Sequence, residues 1–472
     1  MPNPGPLRVA VVGSGPAAFF TAEALLSQPD LTVSVDMFER LPAPFGLVRF
    51  GVAPDHQKIK SVTRSFDKIA RRPGFRFFGN VDVGTHVTLD DLRRHYHAIC
   101  FATGAQTDRR LGIPGEDLVR SHPATEFVAW YNGHPDFRDR TFDLSRPRAA
   151  VIGVGNVAVD VARILCRTAD ELAATDIAPY AEAALASSGI REVYLLGRRG
   201  PVQAAFTNAE VRELGELAGA DIVVPPEDCA LDPLSAAELE ASDDRALAKK
   251  VEILTEFSTR RRTSKHGTLV LRFLVSPVEI LADDAGGVRA LRLVRNRLES
   301  DGRGGLRAVA TDRVEELSVD LVFRSVGYHG VPLPGVPFDE RRGTVPHAQG
   351  RVLENGAVVP GLYVSGWNKR GPSGVIGTNK PDAAETVESI LADAAAGALP
   401  APATPHPAAV EALLRERQPD VVAFDDWVRI DAVETARGKA CGRPRVKCTT
   451  VAEFLEAAER RNGGTAEAHR GT

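Results

Sequence analysis

Glycines at a fixed spacing follow the first apolar stretch of this 472-residue chain. Gly13 and Gly15, with Ala18 three positions further on, form a G-x-G-x-x-A pattern directly after the apolar run 9–12. Glycine at the first position permits a tight turn, and glycine at the second lets a diphosphate approach the backbone. A helix predicted to start at Pro16 would direct its unpaired N–H groups at the phosphates. The pattern therefore predicts a dinucleotide site near the N-terminus.

One acidic residue, Glu39, stands at the end of the second predicted strand, residues 32–38. In dinucleotide-binding folds, a carboxylate at this place accepts hydrogen bonds from the hydroxyl groups of the adenosine ribose. The alternative is an ordinary solvated acid at a strand end. Because the glycine turn and a helix precede it in the expected order, we favour the ribose role for Glu39.

The same glycine spacing returns in the second quarter of the chain, where Gly153, Gly155 and Ala158 follow another apolar strand. Two such units in one chain make a chance match much rarer than one does. The next strand of this second unit ends without an acid and offers Arg198 and Arg199 instead. Paired guanidinium groups bind a 2′-phosphate, which would select NADP over NAD. The alternative is two exposed arginines in a turn.

Strands and helices are predicted to alternate around both motifs, which is typical of an α/β protein with parallel sheets. Further along we predict, in order, an acidic loop, a helix, three strands, a Pro- and Ala-rich linker and a disordered end, over residues 225–242, 245–262, 269–280, 288–297, 317–326, 394–409 and 463–472.

The composition is that of an ordinary globular protein, with 43% apolar and 25% charged residues. A net charge of -4 gives no reason to expect binding to nucleic acid or to an anionic membrane. No apolar run approaches the roughly 20 residues that cross a bilayer. The N-terminal residues MPNPGPLR include no secretory apolar region. We therefore expect a cytoplasmic protein.

Cysteine spacing bears on redox chemistry. The chain has five cysteines, and none of them forms a C-x-x-C pair. This argues against a redox dithiol, an iron–sulfur cluster and a zinc site. We expect free structural thiols and no metal at Cys100, Cys166, Cys229, Cys441 and Cys448.

The order of motifs resembles the adrenodoxin-reductase group of ferredoxin–NADP reductases, flavoproteins with two dinucleotide-binding domains. The resemblance covers roughly residues 7–391 and rests on GSGPAAFF, FGLVRFGVAPDHQKIK, FFGNVDVG, the second glycine motif, GRRGPVQAAFT and GWNKRGPSGVIGTNK. It implies two Rossmann-like domains: an FAD domain made of residues 1–108 and 330–395, with an NADP domain, 109–329, inserted into it. A short C-terminal extension, 396–472, is expected to pack on the body.

The resemblance also implies which residues bind each cofactor. For FAD, besides the first glycine motif, it implies Ala18, Glu39, Leu47, Val83, Trp367, Gly374, Val375 and Ile376. For NADP it implies Arg109, Gly155, Asn156, Val157, Ala158, Arg198, Arg199, Glu210 and, near the nicotinamide, Gly374. Three residues match positions near the redox centre or the cofactor cleft and are our catalytic candidates: His56, Asp160 and Glu213. For His56 the alternative is a loop histidine that stabilises a turn.

The activity implied is that of an FAD-containing ferredoxin–NADP(+) reductase, which passes electrons from NADPH through the flavin to a ferredoxin, one at a time. The cofactors perform the redox chemistry, so the protein must chiefly hold and orient them. One alternative is an NADPH-dependent diaphorase or quinone reductase. Another, of a different class, is a nucleotide-sensing protein without turnover.

The partner is expected to be an acidic ferredoxin that docks through charge. Candidates for the basic surface that receives it are Arg212, Lys249, Lys250, Arg260, Arg261 and Arg262. For each of these side chains the alternative is a solvated position in a mobile loop. We expect a monomer that binds neither nucleic acid nor membrane.

Overall fold

The computed structural model describes residues 5–263 and 265–459. The strands are β1 Leu7–Val12, β2 Val33–Phe38, β3 Phe75–Phe78, β4 Ala98–Phe101, β5 Thr107–Asp108, β6 Ser121–Pro123, β7 Arg148–Ile152, β8 Glu192–Leu196, β9 Ala220–Val223, β10 Gly267–Arg272, β11 Val275–Ala282, β12 Val288–Ser300, β13 Leu306–Ser318, β14 Leu321–Arg324, β15 Tyr328–His329, β16 His347–Ala348, β17 Arg351–Glu354 and β18 Ala357–Val364.

The α-helices are α1 Pro16–Leu26, α2 Leu47–Phe50, α3 Gln57–Lys60, α4 Thr63–Ala70, α5 Leu89–His95, α6 Ala124–Tyr131, α7 Asn156–Cys166, α8 Ala169–Ala173, α9 Pro179–Ala186, α10 Asn208–Leu214, α11 Pro226–Cys229, α12 Pro233–Glu240, α13 Arg245–Thr259, α14 Trp367–Arg370, α15 Asn379–Ala395, α16 Pro407–Arg417, α17 Phe424–Ala440 and α18 Val451–Glu459. None of the helices in the described ranges is long and apolar enough to cross a membrane.

The first glycine motif belongs to a seven-stranded sheet with the strand order β16-β17-β18-β4-β1-β2-β3. Strands β18, β4, β1, β2 and β3 run parallel, and the β16–β17–β18 edge is antiparallel. Val9 and Val11 of β1 pack into one apolar core, while Ala10 and Val12 pack into another on the opposite face. Burial on both faces explains why β1 is a continuous apolar run.

The second glycine motif belongs to a six-stranded parallel sheet with the order β6-β14-β7-β8-β10-β9. A three-stranded antiparallel sheet, β11-β12-β13, is attached to this unit. The short strands β5 and β15 pair with each other where the chain passes between the two parallel sheets. The predicted α/β fold class is confirmed, whereas the domain limits at 108/109 and 329/330 stay a prediction.

The C-terminal segment, which contains α17, α18 and the loop between them, contacts both units. Trp427 of α17 packs into the core of the first sheet, with its ring 5.6 Å from that of Phe45. The buried Glu434 accepts hydrogen bonds from Arg49 at 2.9 and 2.6 Å. Arg443 donates to the backbone carbonyl of Thr175, in the second unit, at 2.9 Å.

Some of the predictions for local structure are wrong. Residues 225–242 were predicted as a loop but contain α11 and α12; Asp232 caps α12 by accepting from the N–H groups of Leu234 and Ser235. Strand β13 was missed because most of its side chains are exposed, so it lacks an apolar run. The predicted strand 317–326 is divided between β13 and β14.

Two further differences concern the ends of elements. The basic run 260–262 lies beyond α13, which ends at Thr259, rather than in its last turn. The stretch 394–409 overlaps the end of α15 and the start of α16. The predicted disorder over 463–472 lies outside the described residues.

Candidate functional site

The first glycine turn contains one glycine that the fold requires, Gly13, and one that faces open space, Gly15. Gly13 has a φ of +103°, and a Cβ added to it would lie 2.5 Å from the carbonyl oxygen of Ala102. A Cβ added to Gly15 would meet no atom of the described residues within 4 Å. Gly15 is the N-cap of α1 and has no side chain with which to cap it. Backbone N–H groups at this helix end therefore face open space, where a diphosphate could accept hydrogen bonds from them.

The second glycine turn repeats this arrangement. Gly153 has a φ of +130°, and a Cβ added to it would lie 2.1 Å from the carbonyl oxygen of Ser325. A Cβ at Gly155, the N-cap of α7, would meet nothing within 4 Å in the part of the chain that the structure describes. Ala158 is completely buried, which keeps α7 close to its sheet. Two equivalent open turns, here called glycine cradles, thus follow parallel strands of two separate sheets.

Glu39 lies beside the first cradle. Its carboxylate accepts a hydrogen bond from the hydroxyl of Ser14 at 2.6 Å and another from the backbone N–H of Leu41 at 3.0 Å. Burial raises the pKa of Glu39, against the opposing effect of the Ser14 hydrogen bond. Ionised carboxylate oxygens accept more than one hydrogen bond each, so capacity remains for ribose hydroxyl groups.

Arg198 and Arg199 follow β8 at the corresponding edge of the second sheet. Among the described residues, neither guanidinium group has a hydrogen-bond or ion-pair partner. Arg198 is exposed and Arg199 is half-buried. Nearby in sequence, Glu210 of α10 has a buried carboxylate oxygen, Oε2, without a partner in the same described set. A 2′-phosphate would satisfy the two free guanidinium groups.

Other predicted NADP residues lie close to these elements. Asn156, at the start of α7, accepts a hydrogen bond from the backbone N–H of Thr207 at 2.9 Å, and the half-buried Val157 follows it. Arg109 donates its backbone N–H to the carbonyl of Gly327 at 2.9 Å.

The remaining predicted FAD residues come from two parts of the chain, residues 47–83 and residues 367–376. Leu47 opens α2, and Val83 is buried. Trp367 opens α14, and its indole N–H donates to the carbonyl of Ser373 at 3.1 Å. The loop before α15 contains Gly374, with a φ of +80°, followed by the exposed Val375 and the half-buried Ile376. That these residues bind FAD stays a prediction.

The three catalytic candidates come together between the two units. His56 stands just before α3 of the first unit, whereas Asp160 lies on α7 and Glu213 on α10 of the second. The Nε2 atom of His56 lies 2.9 Å from Oε2 of Glu213, and its Nδ1 atom lies 3.8 Å from Oδ1 of Asp160. A catalytic role for His56 stays a prediction, and so does its alternative, a hydrogen-bonded loop histidine that stabilises the turn.

Arg163, which no motif in the sequence singles out, is at the centre of this cluster. Its fully buried guanidinium lies 2.7 Å from Nε2 of His56, 3.0 Å from Oδ1 of Asp160 and 3.1 Å from Oε2 of Glu213. The same group also pairs with Asp55. The only sequence signal was the placement of Asp160 and Arg163 three positions apart, which puts them on one helix face.

The titration of the cluster follows from these contacts. Burial raises the pKa of Asp160 to about 6, with Arg163 opposing it. Burial also acts on Asp55, but the hydrogen bond and charge of Arg163 prevail and lower its pKa to about 2. For His56 burial is outweighed by the hydrogen bond to Glu213 and the charge of Asp160, which raise the pKa. The cluster can therefore hold a proton near neutral pH.

Asp55, His56 and Glu213 also bring three potential metal ligands within 4.8 Å of one another. Each of these residues is in contact with Arg163, so ion pairs already satisfy their charges. Close to them, the buried hydroxyl of Tyr131 has no partner among residues 5–263 and 265–459.

Among the described residues, two of the six cations in the predicted basic surface are paired with carboxylates, and two more donate to neutral oxygen atoms. Four of its six cations are engaged within the protein: Lys249 by Glu252, Lys250 by the carbonyl of Ala204, Arg260 by Glu256, and Arg262 by the hydroxyl of Thr268. In the described part of the chain, Arg212 and Arg261 have no partner for their side chains.

Comparison with known proteins places these features in a family. Residues 7–213, which contain both glycine turns, match the family model described as pyridine nucleotide-disulphide oxidoreductase. The chain is 49% identical over 458 residues to the NADPH-ferredoxin reductase FprA of Mycobacterium tuberculosis, covering 95% of this chain and 98% of that one. It is 43% identical over 468 residues to the mitochondrial NADPH:adrenodoxin oxidoreductase of Salvelinus fontinalis, covering 96% and 91%.

The fold is also similar to a solved structure. The structure of Mycobacterium tuberculosis FprA in complex with NADPH superposes with a TM-score of 0.89 at 47% sequence identity, covering 96% of this chain and 99% of that one. The two Rossmann-like cradles, their spacing and these similarities agree with the resemblance stated from the motifs. The chain belongs to the family of NADPH-ferredoxin and NADPH:adrenodoxin reductases.

Proposed function

We propose that this chain is an FAD-containing ferredoxin–NADP reductase that passes electrons from NADPH through its flavin to a ferredoxin-type iron–sulfur protein. The observation that carries this proposal is the pair of open glycine cradles at Gly15 and Gly155, in two separate sheets whose units meet at His56 and Glu213. A protein that reads a single nucleotide has no need of two such cradles. FAD and NADP(H) are its cofactors.

We assign the first cradle to FAD and the second to NADP(H). Glu39 is well placed to bind the adenosine ribose of FAD, since it lies against Ser14 of the glycine turn. Arg198 and Arg199 are the free cations that a 2′-phosphate requires. We assign the loop from Gly374 to Ile376 to the isoalloxazine side, because it lies directly before α15 and is largely exposed.

Bound FAD supplies the redox chemistry, exchanging two electrons with the nicotinamide and single electrons with an iron–sulfur centre. The residues of the chain then hold and orient the two cofactors and balance their charge. Arg163 fixes Asp160 and Glu213 of the second unit against His56 of the first. This arrangement sets the position of the NADP unit relative to the loop of the FAD unit. The hydrogen bond to Glu213 and the charge of Asp160 favour the protonated imidazole of His56, and the charge of Arg163 opposes them.

We propose that an acidic ferredoxin docks on the basic surface through Arg212 and Arg261, whose charges are not neutralised within the described chain. Opposite charges on the two partners accelerate their encounter more than they tighten the final complex. A monomeric state and a cytoplasmic location belong to the same proposal.

Stopped-flow spectroscopy tests the function. We expect NADPH to bleach the flavin absorbance of the holoprotein, and an oxidised ferredoxin then to restore it in a reaction that slows as salt is added. Fast reduction of quinones or dyes with no transfer to any ferredoxin would favour the diaphorase alternative. Binding of NADPH without bleaching would favour the nucleotide sensor.

A further inference from the structure

The turn that carries Arg198 and Arg199 is held in place from β12 of the attached antiparallel sheet. The side-chain amide of Asn296 donates one hydrogen bond to the carbonyl of Arg198 at 2.8 Å and a second to the hydroxyl of Ser276 at 2.8 Å. Asn296 is only 5% exposed, so both N–H groups of this amide are satisfied in the interior. The contact joins a buried amide to the backbone of an exposed arginine.

A second contact holds the other arginine. The backbone N–H of Leu274 donates to the carbonyl of Arg199 at 3.2 Å, and the N–H of Asn296 donates to the carbonyl of Leu274 at 2.7 Å. Leu274 has a φ of +55°, which is unusual for a residue with a side chain. Asn296 therefore supports both carbonyls of the arginine pair, one directly and one through Leu274.

An irregularity in the sheet makes this possible. The pairing of β12 with β13 shifts register between Val294 and Asn296. Such a bulge bends the strand locally and changes the direction of a side chain. The hydroxyl of Thr311 on β13 donates to the carbonyl of Arg295 at 2.7 Å inside the irregular stretch. The bulge thus lies at Asn296, the residue whose side-chain amide holds the carbonyl of Arg198.

We propose that Asn296 is a positioning residue for the choice of NADP over NAD. It acts through the backbone of Arg198 and Arg199, which it keeps in the geometry where both guanidinium groups converge on a 2′-phosphate. These two side chains have no partner of their own among the described residues, so the backbone alone restricts them before the nucleotide binds. The proposal rests on the function assigned above to this arginine pair.

The test compares Asn296→Ala with Ser276→Ala, a matched control. The control removes the other partner of the same amide and leaves the bond to Arg198 intact. Binding of 2′,5′-ADP and of 5′-AMP to the FAD-loaded protein is measured by calorimetry, together with KM and kcat for NADPH and NADH. The double variant Arg198→Ala/Arg199→Ala is the reference for complete loss of the phosphate contact.

We expect Asn296→Ala to weaken 2′,5′-ADP binding about three- to tenfold, the loss that corresponds to one hydrogen bond. Three quantities should stay within about twofold of their wild-type values, which is the error of such comparisons: the affinity for 5′-AMP, KM for NADH and kcat at saturating NADPH. The reason is that no contact to the rest of the nucleotide changes. Ser276→Ala should keep the affinity for 2′,5′-ADP.

Two outcomes would overturn the proposal in distinguishable ways. If the double arginine variant loses 2′,5′-ADP affinity while Asn296→Ala keeps it, the arginines bind the phosphate and Asn296 does not position them. If the double arginine variant itself keeps the affinity, the assigned function of the pair fails, and the role of Asn296 fails with it. If Asn296→Ala does not retain FAD, Asn296→Ser is judged by the same criteria.

Discussion

Arg163, on the helix that follows the second glycine turn, pairs with Asp55 in the loop of the first unit, with Nη2 3.2 Å from Oδ1 and Nη1 also in contact with Oδ2. The guanidinium is fully buried, and the carboxylate is only 11% exposed. A buried, bidentate pair of this kind fixes geometry as well as charge. The helix that follows the second glycine turn is therefore tied to the unit that contains the first.

Replacing Arg163 by Met should destabilise the protein strongly. The change leaves Asp55 and Asp160 buried without their main counter-charge, which typically costs about 3–5 kcal/mol of unfolding free energy. Lys249→Met, which removes an exposed pair with Glu252, is the control and should have little effect. Chemical denaturation of the FAD-loaded proteins measures both. Equal midpoints for the Arg163 variant and the wild type would contradict the central role given to this residue.

Removal of the Glu213 carboxylate should have a pH-dependent cost. The raised pKa of His56 means that its contribution is fully present below its unfolded value of 6.5 and is lost as the pH rises through the folded pKa. The lowered pKa of Glu213 means that its contribution is present above 4.5 and is lost on acidification. The fall in melting temperature caused by Glu213→Gln should therefore be largest between pH 4.5 and 6.5 and shrink at higher pH. It should not vanish, because Glu213 also contacts Arg163. A cost that is the same from pH 5 to pH 9 would rule out a protonated His56 as the partner.

Substitutions at the two glycines of the second turn should have different effects, one on nucleotide binding and the other on stability. Gly155→Val places a side chain in open space, so the fold and the FAD content should be kept while NADP(H) affinity falls by about tenfold or more. Gly153→Ala places a Cβ 2.1 Å from the carbonyl oxygen of Ser325, so it should lower the melting temperature. Nucleotide titrations and thermal unfolding separate these effects. Undiminished NADP(H) binding by Gly155→Val would show that the phosphates lie elsewhere.

The arginine pair after β8 should determine nucleotide choice. Charge-assisted hydrogen bonds contribute roughly 1.5–3 kcal/mol each, so Arg198→Ala/Arg199→Ala should raise KM for NADPH by more than about tenfold. KM for NADH should change little, because NADH has no 2′-phosphate. Steady-state kinetics with both nucleotides measure the ratio. Equal changes for NADPH and NADH would show that the pair does not contact this phosphate.

Ferredoxin docking should depend on the two free cations of the basic surface. Arg212→Glu/Arg261→Glu should slow electron transfer to ferredoxin by about tenfold at low ionic strength, with the difference fading as salt is added. Lys249→Met is the control, since its charge is already paired. Dye reduction by NADPH should be unchanged. An unaffected rate of transfer at low salt would place the docking surface elsewhere.

Most of the elements around the two nucleotide cradles were predictable, because glycine spacing and continuous apolar strands are local signals. The sequence indicated β1, α1, β7 and α7 and the residues that follow β2 and β8. Strand β13 has no such signal, because it is mostly exposed. The helices at 226–240 do have a local signal, proline at their first positions and Asp232 at the N-cap of α12, but no clear apolar periodicity accompanies it.

The cleft between the units was predictable only in part. His56, Asp160 and Glu213 came from the resemblance, and the structure brings them together. Arg163 was missed because an arginine within a helix has the same local pattern whether it is solvated or buried. Its role depends on contacts with Asp55, 108 positions away, and such pairings are not visible in spacing.

The central claim is that each chain binds two dinucleotides at once, in separate cradles. Calorimetric titration of the FAD-loaded holoprotein with NADP⁺, with the released flavin followed by absorbance, tests it most directly. We expect one FAD per chain before the titration, one NADP⁺ bound per chain after it, and no loss of FAD. Displacement of FAD by NADP⁺, or a purified protein that is colourless and takes up no FAD, would contradict the claim.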